Sequence, residues 1–212
     1  MRVLALFSVI ALAATAQASN PAPAVPKGVY TIDKAHTSLI FRVNHMGFST
    51  FTGRFTRLDA KLDTDPSKLT ASKLDVSIDP TSIETDNAPD GFLAMLSGKD
   101  WLDAQDYPLM TYRSTKVEQL DAKTVLINGE LTLHGVTKPV VLEAKYNGGY
   151  AGHPMDPHAR IGFSATGKFK RSEFGVTIGI PAPGAFGVSD EVEIVLETEL
   201  SGPPLAAAVA KN

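Results

Sequence analysis

Histidines, carboxylates and a few basic residues are the groups with which this chain could do chemistry, and they gather in few places. "GHPMDPHAR" brings His153, Asp156 and His158 close together, ligand types that suit zinc. Two prolines make that loop irregular, however, and no helix sets the spacing as in an HExxH motif. His36 in "DKAHTSL" and His45 in "VNHMGF" offer an acid, a base or a head-group contact, or else hydrogen bonds at strand ends. His134 alternates onto the polar face of its strand beside a turn, which suits a solvated or turn-supporting role. In "FKRSEFG", Lys170, Arg171 and Glu173 surround a turn. Arg171 there could meet a phosphate or quinone oxygen, or simply pair with Glu173. No G-x-S-x-G elbow, phosphate loop or dinucleotide fingerprint is present, so the sequence offers no motif for an enzyme and no cofactor.

Composition narrows the class. The chain has 212 residues, no cysteine and a formal net charge of −3. Without cysteine there is neither a disulfide nor thiol catalysis, so an apolar core must stabilise the fold unaided. The mildly acidic, unclustered charge gives no electrostatic case for nucleic acid or for an anionic membrane surface. Met1–Ala18, "MRVLALFSVIALAATAQA", has a basic start, an apolar middle and small residues at Ala16 and Ala18, the pattern of a cleavable secretory signal peptide. The apolar run is too short for a comfortable membrane span, so stable membrane insertion is not expected. The expected organisation is a signal peptide over 1–18, a Pro-rich leader over 19–27, one domain over 28–201 and a flexible tail over 202–212. The expected location is the periplasm.

Strands dominate the domain. In "GELTLHGVTKPVVLEAKY", Leu131 and Leu133 alternate with polar residues, and so do Val140, Leu142 and Ala144 after a turn placed over Gly135–Pro139. Period-two alternation marks half-buried strands, and two such runs make a hairpin. "HTSLIFRV", "KLDVSID", "RIGFSATGKF" and "EVEIVLETEL" repeat the pattern. One-sided strands suit an antiparallel sheet with a solvated outer face. "DNAPDGFLAMLSGKDWLDAQDYP" differs: Phe92, Met95 and Leu96 recur at helical spacing, with Gly98 as a C-cap and Pro108 as a stop. The expected fold is mainly all-β, with roughly eight strands in a barrel or curved sandwich and one or two short helices covering it. Eight-stranded barrels lie near the size where side chains either fill the interior or leave room for one ligand. Gly129, Ala144, Ala165 and Gly167 on the inward faces favour space, whereas Phe41, Phe55, Phe163 and Phe169 could reach across and fill it. Alternation alone leaves both outcomes open.

Four segments together resemble the YceI-like family of exported, polyisoprenoid-binding, lipocalin-like proteins. They are "YTIDKAHTSLIFRVNHMGFSTFTGRF", "SIETDNAPDGFLAMLSGKDWLDAQDYPLMTYRS", "GELTLHGVTKPVVLEA" and "FSATGKFKRSEFGV". The resemblance implies an extended eight-stranded antiparallel barrel whose interior binds a long isoprenoid lipid or quinone, and it tips the interior toward hollow. On that basis the expected ligand contacts are Phe41, Val43, Phe48, Phe51, Phe55, Leu131, Leu142 and Phe163. Phe92, Met95, Leu96 and Trp101 of the helical cover complete the set, with residues 89–97 as a possible lid. An Arg-Asp-x-His-Leu pattern common in relatives is replaced here by Pro89-Asp90-Gly91-Phe92-Leu93, which implies a different treatment of the ligand head. The expected function is a periplasmic carrier of a polyprenyl lipid or quinone, with a homodimer as a further expectation. The alternatives are an enzyme acting on a lipid-like substrate in the same cavity, or a packed domain that works through partner proteins.

N-terminal sequencing of the periplasmic protein should read Ser19 as its first residue. An intact Met1 recovered in the membrane fraction would contradict the cleavable signal.

Overall fold

Alternating strands with one greasy face can hide that face by curling the sheet until its first and last strands meet. The computed structural model, which describes residues 25–152 and 154–205, shows this closure. The strands are β1 (Gly28–His45), β2 (Ser49–Phe55), β3 (Leu58–Thr64), β4 (Lys73–Ile78), β5 (Ile83–Glu84), β6 (Met110–Gln119), β7 (Thr124–Leu133), β8 (Val136–Tyr150), β9 (His158–Lys170) and β10 (Val188–Pro204). All neighbours are antiparallel. The ladder runs β10-β9-β8-β7-β6-β4-β3-β1, and β1 pairs again with β10 from Thr31↔Ser201 to His45↔Val188. Eight strands therefore form a closed barrel. β2 and β5 extend it beside the second half of β1, where Leu39↔Phe55 runs to His45↔Ser49 and Arg54 faces Glu84. The expected signal peptide, the expected leader before residue 25, His153 and the expected tail from residue 206 lie outside the described residues.

Inward parity follows the sequence until a bulge resets it. Along β10, Val192, Ile194, Leu196 and Leu200 face the interior while Glu191, Glu193, Glu197 and Glu199 alternate with them. In β1 the parity changes. Ile32 pairs with Leu200 and Thr37 with Thr198, so Asp33–His36 stand opposite Glu199 alone. The three surplus residues bend the strand and swap its faces, which is why even-numbered Ile32 and odd-numbered Leu39, Phe41 and Val43 share one interior.

That bulge is held by a half-buried ion network. The Arg160 guanidinium on β9 donates to Asp33 in the bulge, to Asp156 at 2.5 Å and to Glu199 on β10 at 3.4 Å. Tyr150 donates its hydroxyl to Asp156 at 2.7 Å, and His36 Nδ1 lies 3.0 Å from Asp33. Hydrogen bonds from Arg160 and His36 hold the Asp33 carboxyl down at about 2. Those from Tyr150 and Arg160 do the same to Asp156, also about 2. The remaining ion pairs of the outer face, such as Arg54–Glu84 and Arg113–Asp75, are well exposed and contribute little each.

Turns and ends depart from the sequence reading in three places. The β7–β8 turn is two residues, His134 and Gly135, both at positive φ (51° and 73°), the backbone a two-residue hairpin needs to match strand twist. Pro139 is thus inside β8, opposite Glu130, on a stretch that β9 does not reach; edge positions are where a strand tolerates proline. Pro203 and Pro204 do not end β10. Pro204 still faces His158 beyond a register shift after Ser201, an irregularity that accommodates the missing N–H. The leader's last residues are packed as well: the Tyr30 hydroxyl donates to Pro26 O at 2.6 Å, and Val25 joins the cluster of Tyr30, Leu62, Ala159, Ile161 and Leu200 that closes this end of the barrel.

One α-helix, α1 (Phe92–Ser97), opens on Gly91 in the left-handed conformation and ends at Gly98. It packs against β5 at the other end of the barrel. A six-residue helix presents only one narrow face. Phe92 and Leu96, at i and i+4, take it, and Met95 turns outward, 47% exposed.

Because Asp33 and Asp156 titrate lower in the fold than the ordinary 3.8, the network contributes stability above that pH and loses it as pH falls toward 2. Arg160→Gln should lower the melting temperature by roughly 3–6 °C at pH 7, with the gap to wild type closing between pH 3.8 and pH 2. Thermal melts across this range check it; a pH-independent gap would show that packing, not ion pairing, holds the bulge.

Candidate functional site

The small inward residues are only partly compensated by large neighbours. Tyr112 lies over Gly129, Leu142 over Gly167 and Phe41 over Gly53, each where a Cβ would sit. Ala144 and Ala165 are buried, line the interior and pack with Val117 and Val125. A cavity of about 440 Å³ remains along the barrel axis, within the range of small-molecule sites. It runs from His45, Val188 and Arg171 at the helix end to Thr64, Lys123 and Tyr146 at the opposite end.

Ten of the expected contact residues line it: Phe41, Val43, Phe51, Phe55, Phe92, Leu96, Trp101, Leu131, Leu142 and Phe163. Phe41 packs on Phe55 and Phe51 with ring centroids 5.6 and 6.3 Å apart, and Phe92 meets Phe51 edge-on at 6.0 Å. Two expected residues do not line it. Phe48 follows the β1–β2 turn, in which Met46 and Gly47 have positive φ. It is 75% exposed and packs on Phe186 at 5.4 Å. The turn breaks the alternation that would have aimed it inward. Met95 is excluded by the narrowness of the α1 face.

The wall satisfies most of its own polar groups. Tyr112 donates its buried hydroxyl to Ile127 O at 2.8 Å and Val140 O at 3.2 Å, and burial pushes its pKa up. Thr64 and Ser72 share a hydrogen bond at 2.7 Å, and Thr37 and Thr198 one at 2.8 Å. Among the described residues lining the cavity there is no Asp or Glu. The exception in this apolar wall is Arg171, 5% exposed. It does not pair with Glu173. Its Nε donates to Ser189 O, Nη1 to Val176 O and Ile178 O, and Nη2 to Val188 O, at 2.7–3.2 Å. Trp101 covers it, with the guanidinium carbon 5.5 Å from the ring. Burial lowers its pKa below the ordinary arginine value, and it remains a cation at neutral pH.

Sequence alone missed Tyr112, although "LMTYRS" carried a period-two signal with Met110 inward. It also missed Arg171 as a wall residue, since its carbonyl partners come from a distant loop. The candidate metal ligands are otherwise engaged. Asp156 is held by Arg160 and Tyr150, His158 lies 4.0 Å from it, and His153 falls outside the described residues. Asp33, His36 and Glu199 also bring ligand atoms within 4.8 Å of one another, but Arg160 already supplies the positive charge there. His45 is at the cavity's helix end. His134 supports its turn by a 3.0 Å hydrogen bond to Phe174 O and an edge contact with Tyr107.

Known proteins are similar to this chain in sequence and fold. Protein YceI of Escherichia coli O17:K52:H18 is 37% identical over 175 residues, 80% of this chain and 85% of the relative. A UPF0312 protein of Pseudomonas syringae pv. tomato is 35% identical over 172 residues, 79% and 84% of the two chains. Among solved structures, the Campylobacter jejuni YceI protein superposes with a TM-score of 0.64 at 32% identity, covering 76% of this chain and 90% of that one. Burkholderia cenocepacia BcnA (TM-score 0.68, 24% identity, 79% and 98% coverage) shares the fold. So does a polyisoprenoid-binding domain from Saccharophagus degradans (0.60, 17%, 84% and 99%). Residues 30–200 match the YceI-like domain, and the chain belongs to the YceI-like family.

Proposed function

We propose that this protein is an exported, periplasmic carrier of a long apolar chain, a polyprenyl lipid or quinone, held inside the barrel. The observation that carries the reading is the apolar cavity itself, running between the barrel ends beside Ala144 and Ala165. An elongated ligand without charge along its length suits such a wall. Burying about 15 methylene groups at roughly 0.8 kcal/mol each yields on the order of 12 kcal/mol before ordering costs. Hydrophobic transfer then sets affinity, and the polar groups at the ends set the choice of head. The fold shared with a domain described as polyisoprenoid-binding accords with this reading. An enzyme in the same cavity gains no support from the wall, whose carboxylate-free lining offers no paired acid and base.

Two experiments test the carrier. Ala144→Trp or Ala165→Trp should obstruct the cavity, lowering lipid recovered by organic extraction and mass spectrometry to below about a tenth of wild type. The overpacking should cost ~1–3 kcal/mol of stability, leaving a folded barrel; normal lipid content in folded variants would place the ligand elsewhere. Phe92→Asp places a charge on the one inward face of α1. If that helix acts as a lid, lipid release should accelerate on the order of tenfold with a change of only a few degrees in the lipid-free melting temperature. Early melting with wild-type release would make α1 a fixed part of the core.

A further inference from the structure

Arg171 presents a physical problem that its own contacts do not fully solve. A guanidinium has five N–H donors. Four of them meet the carbonyls of Ser189, Val176, Ile178 and Val188, which leaves one Nη2 N–H with no acceptor among the described residues. Its charge has no ion-pair partner among them either. The Asp190 charge acts on it, but both Asp190 oxygens are engaged by Ser172, one by its backbone N–H and the other by its hydroxyl. A buried cation of this kind is costly unless an acceptor completes it. The surface it faces is the cavity, in which Arg171 and Trp101 stand together. Lys123 at the opposite end makes no such demand, because it sits exposed in the β6–β7 turn and reaches water.

We infer that Arg171 and Trp101 form the head-group end of the cavity, where the guanidinium receives an acceptor oxygen of the ligand head, a quinone carbonyl or a phosphate, and the chain extends toward Lys123. The inference rests on the carrier reading and adds to it the ligand's direction and the chemistry of its head. Trp101 stacks on the guanidinium and offers a flat apolar neighbour to a ring. A headless chain gains from the wall alone, so the contact at Arg171 sets specificity rather than basal binding. One hydrogen bond to a buried cation is worth about tenfold or more in affinity.

Trp101 is the sole tryptophan of the chain, so the intact protein reports on this end by its own emission. Delipidated protein would be titrated with a benzoquinone bearing a tetraprenyl tail, with tetraprenyl phosphate and with the matching tetraprenyl hydrocarbon, each bound amount being measured by native mass spectrometry. The quinone should quench Trp101 by more than half at equimolar binding, through contact electron transfer, whereas the hydrocarbon should not. Arg171→Gln should lower affinity for the headed ligands about tenfold while leaving that for the hydrocarbon within about twofold. Whichever headed ligand shows the larger loss identifies the natural head as quinone or phosphate. Equimolar quinone binding with unchanged emission would place the head elsewhere and overturn the inference. Equal loss for all three ligands in Arg171→Gln would reduce Arg171 to a clamp on the 176–188 loop. Failure of every ligand to bind the wild-type protein would instead overturn the carrier reading, and this inference with it.

Discussion

The pairing of β1 with β10 is the constraint on which the rest of the structure depends. A sheet of one-sided strands left open would expose a greasy face or stack it on another layer. Closed, it has no choice but to surround that face. Everything inside then follows from side-chain volume. Tyr112, Leu142 and Phe41 reach over glycines and fill part of the interior; Ala144 and Ala165, a directly paired position of the β8–β9 ladder, bring two small side chains to its wall.

An apolar void is expensive. At roughly 24 cal/mol per Å³, a cavity of about 440 Å³ left empty would forfeit on the order of 10 kcal/mol, comparable with the whole stability of a typical domain. A long apolar ligand of the kind proposed would recover a sum of that size, so binding and folding would be coupled. The same economy explains why the ends carry the polar groups. Along the wall a charge would be desolvated on all sides, whereas at the ends it can be held by loop carbonyls, as Arg171 is, or reach solvent, as Lys123 does.

Much of this was legible in the sequence, for a physical reason: alternation survives wherever a strand is regular. Leu131, Leu142, Phe163 and the β10 residues could be assigned to the interior because nothing interrupts their period. The failures fall where the backbone departs from a plain ladder. Three surplus residues in the β1 bulge exchange its faces, which no alternation count reveals. A left-handed turn at Met46-Gly47 puts Phe48 outside, and a helix of six residues leaves Met95 in solvent. The surroundings of Arg171 were hidden for a different reason. Glu173 is close in sequence, but the chain turns through a 3₁₀ segment at Arg171–Phe174 and the guanidinium finds carbonyls up to eighteen residues away. Family resemblance, not alternation, decided between a packed and a hollow interior.

The most direct test is a crystal structure of the protein purified without delipidation. Continuous elongated density should run along the axis between Ala144 and Phe41, from the Arg171–Trp101 end toward Lys123. A dry interior, in which Leu142, Tyr112 and Phe163 have closed over Ala144 and Ala165 and no chain is present, would contradict the carrier.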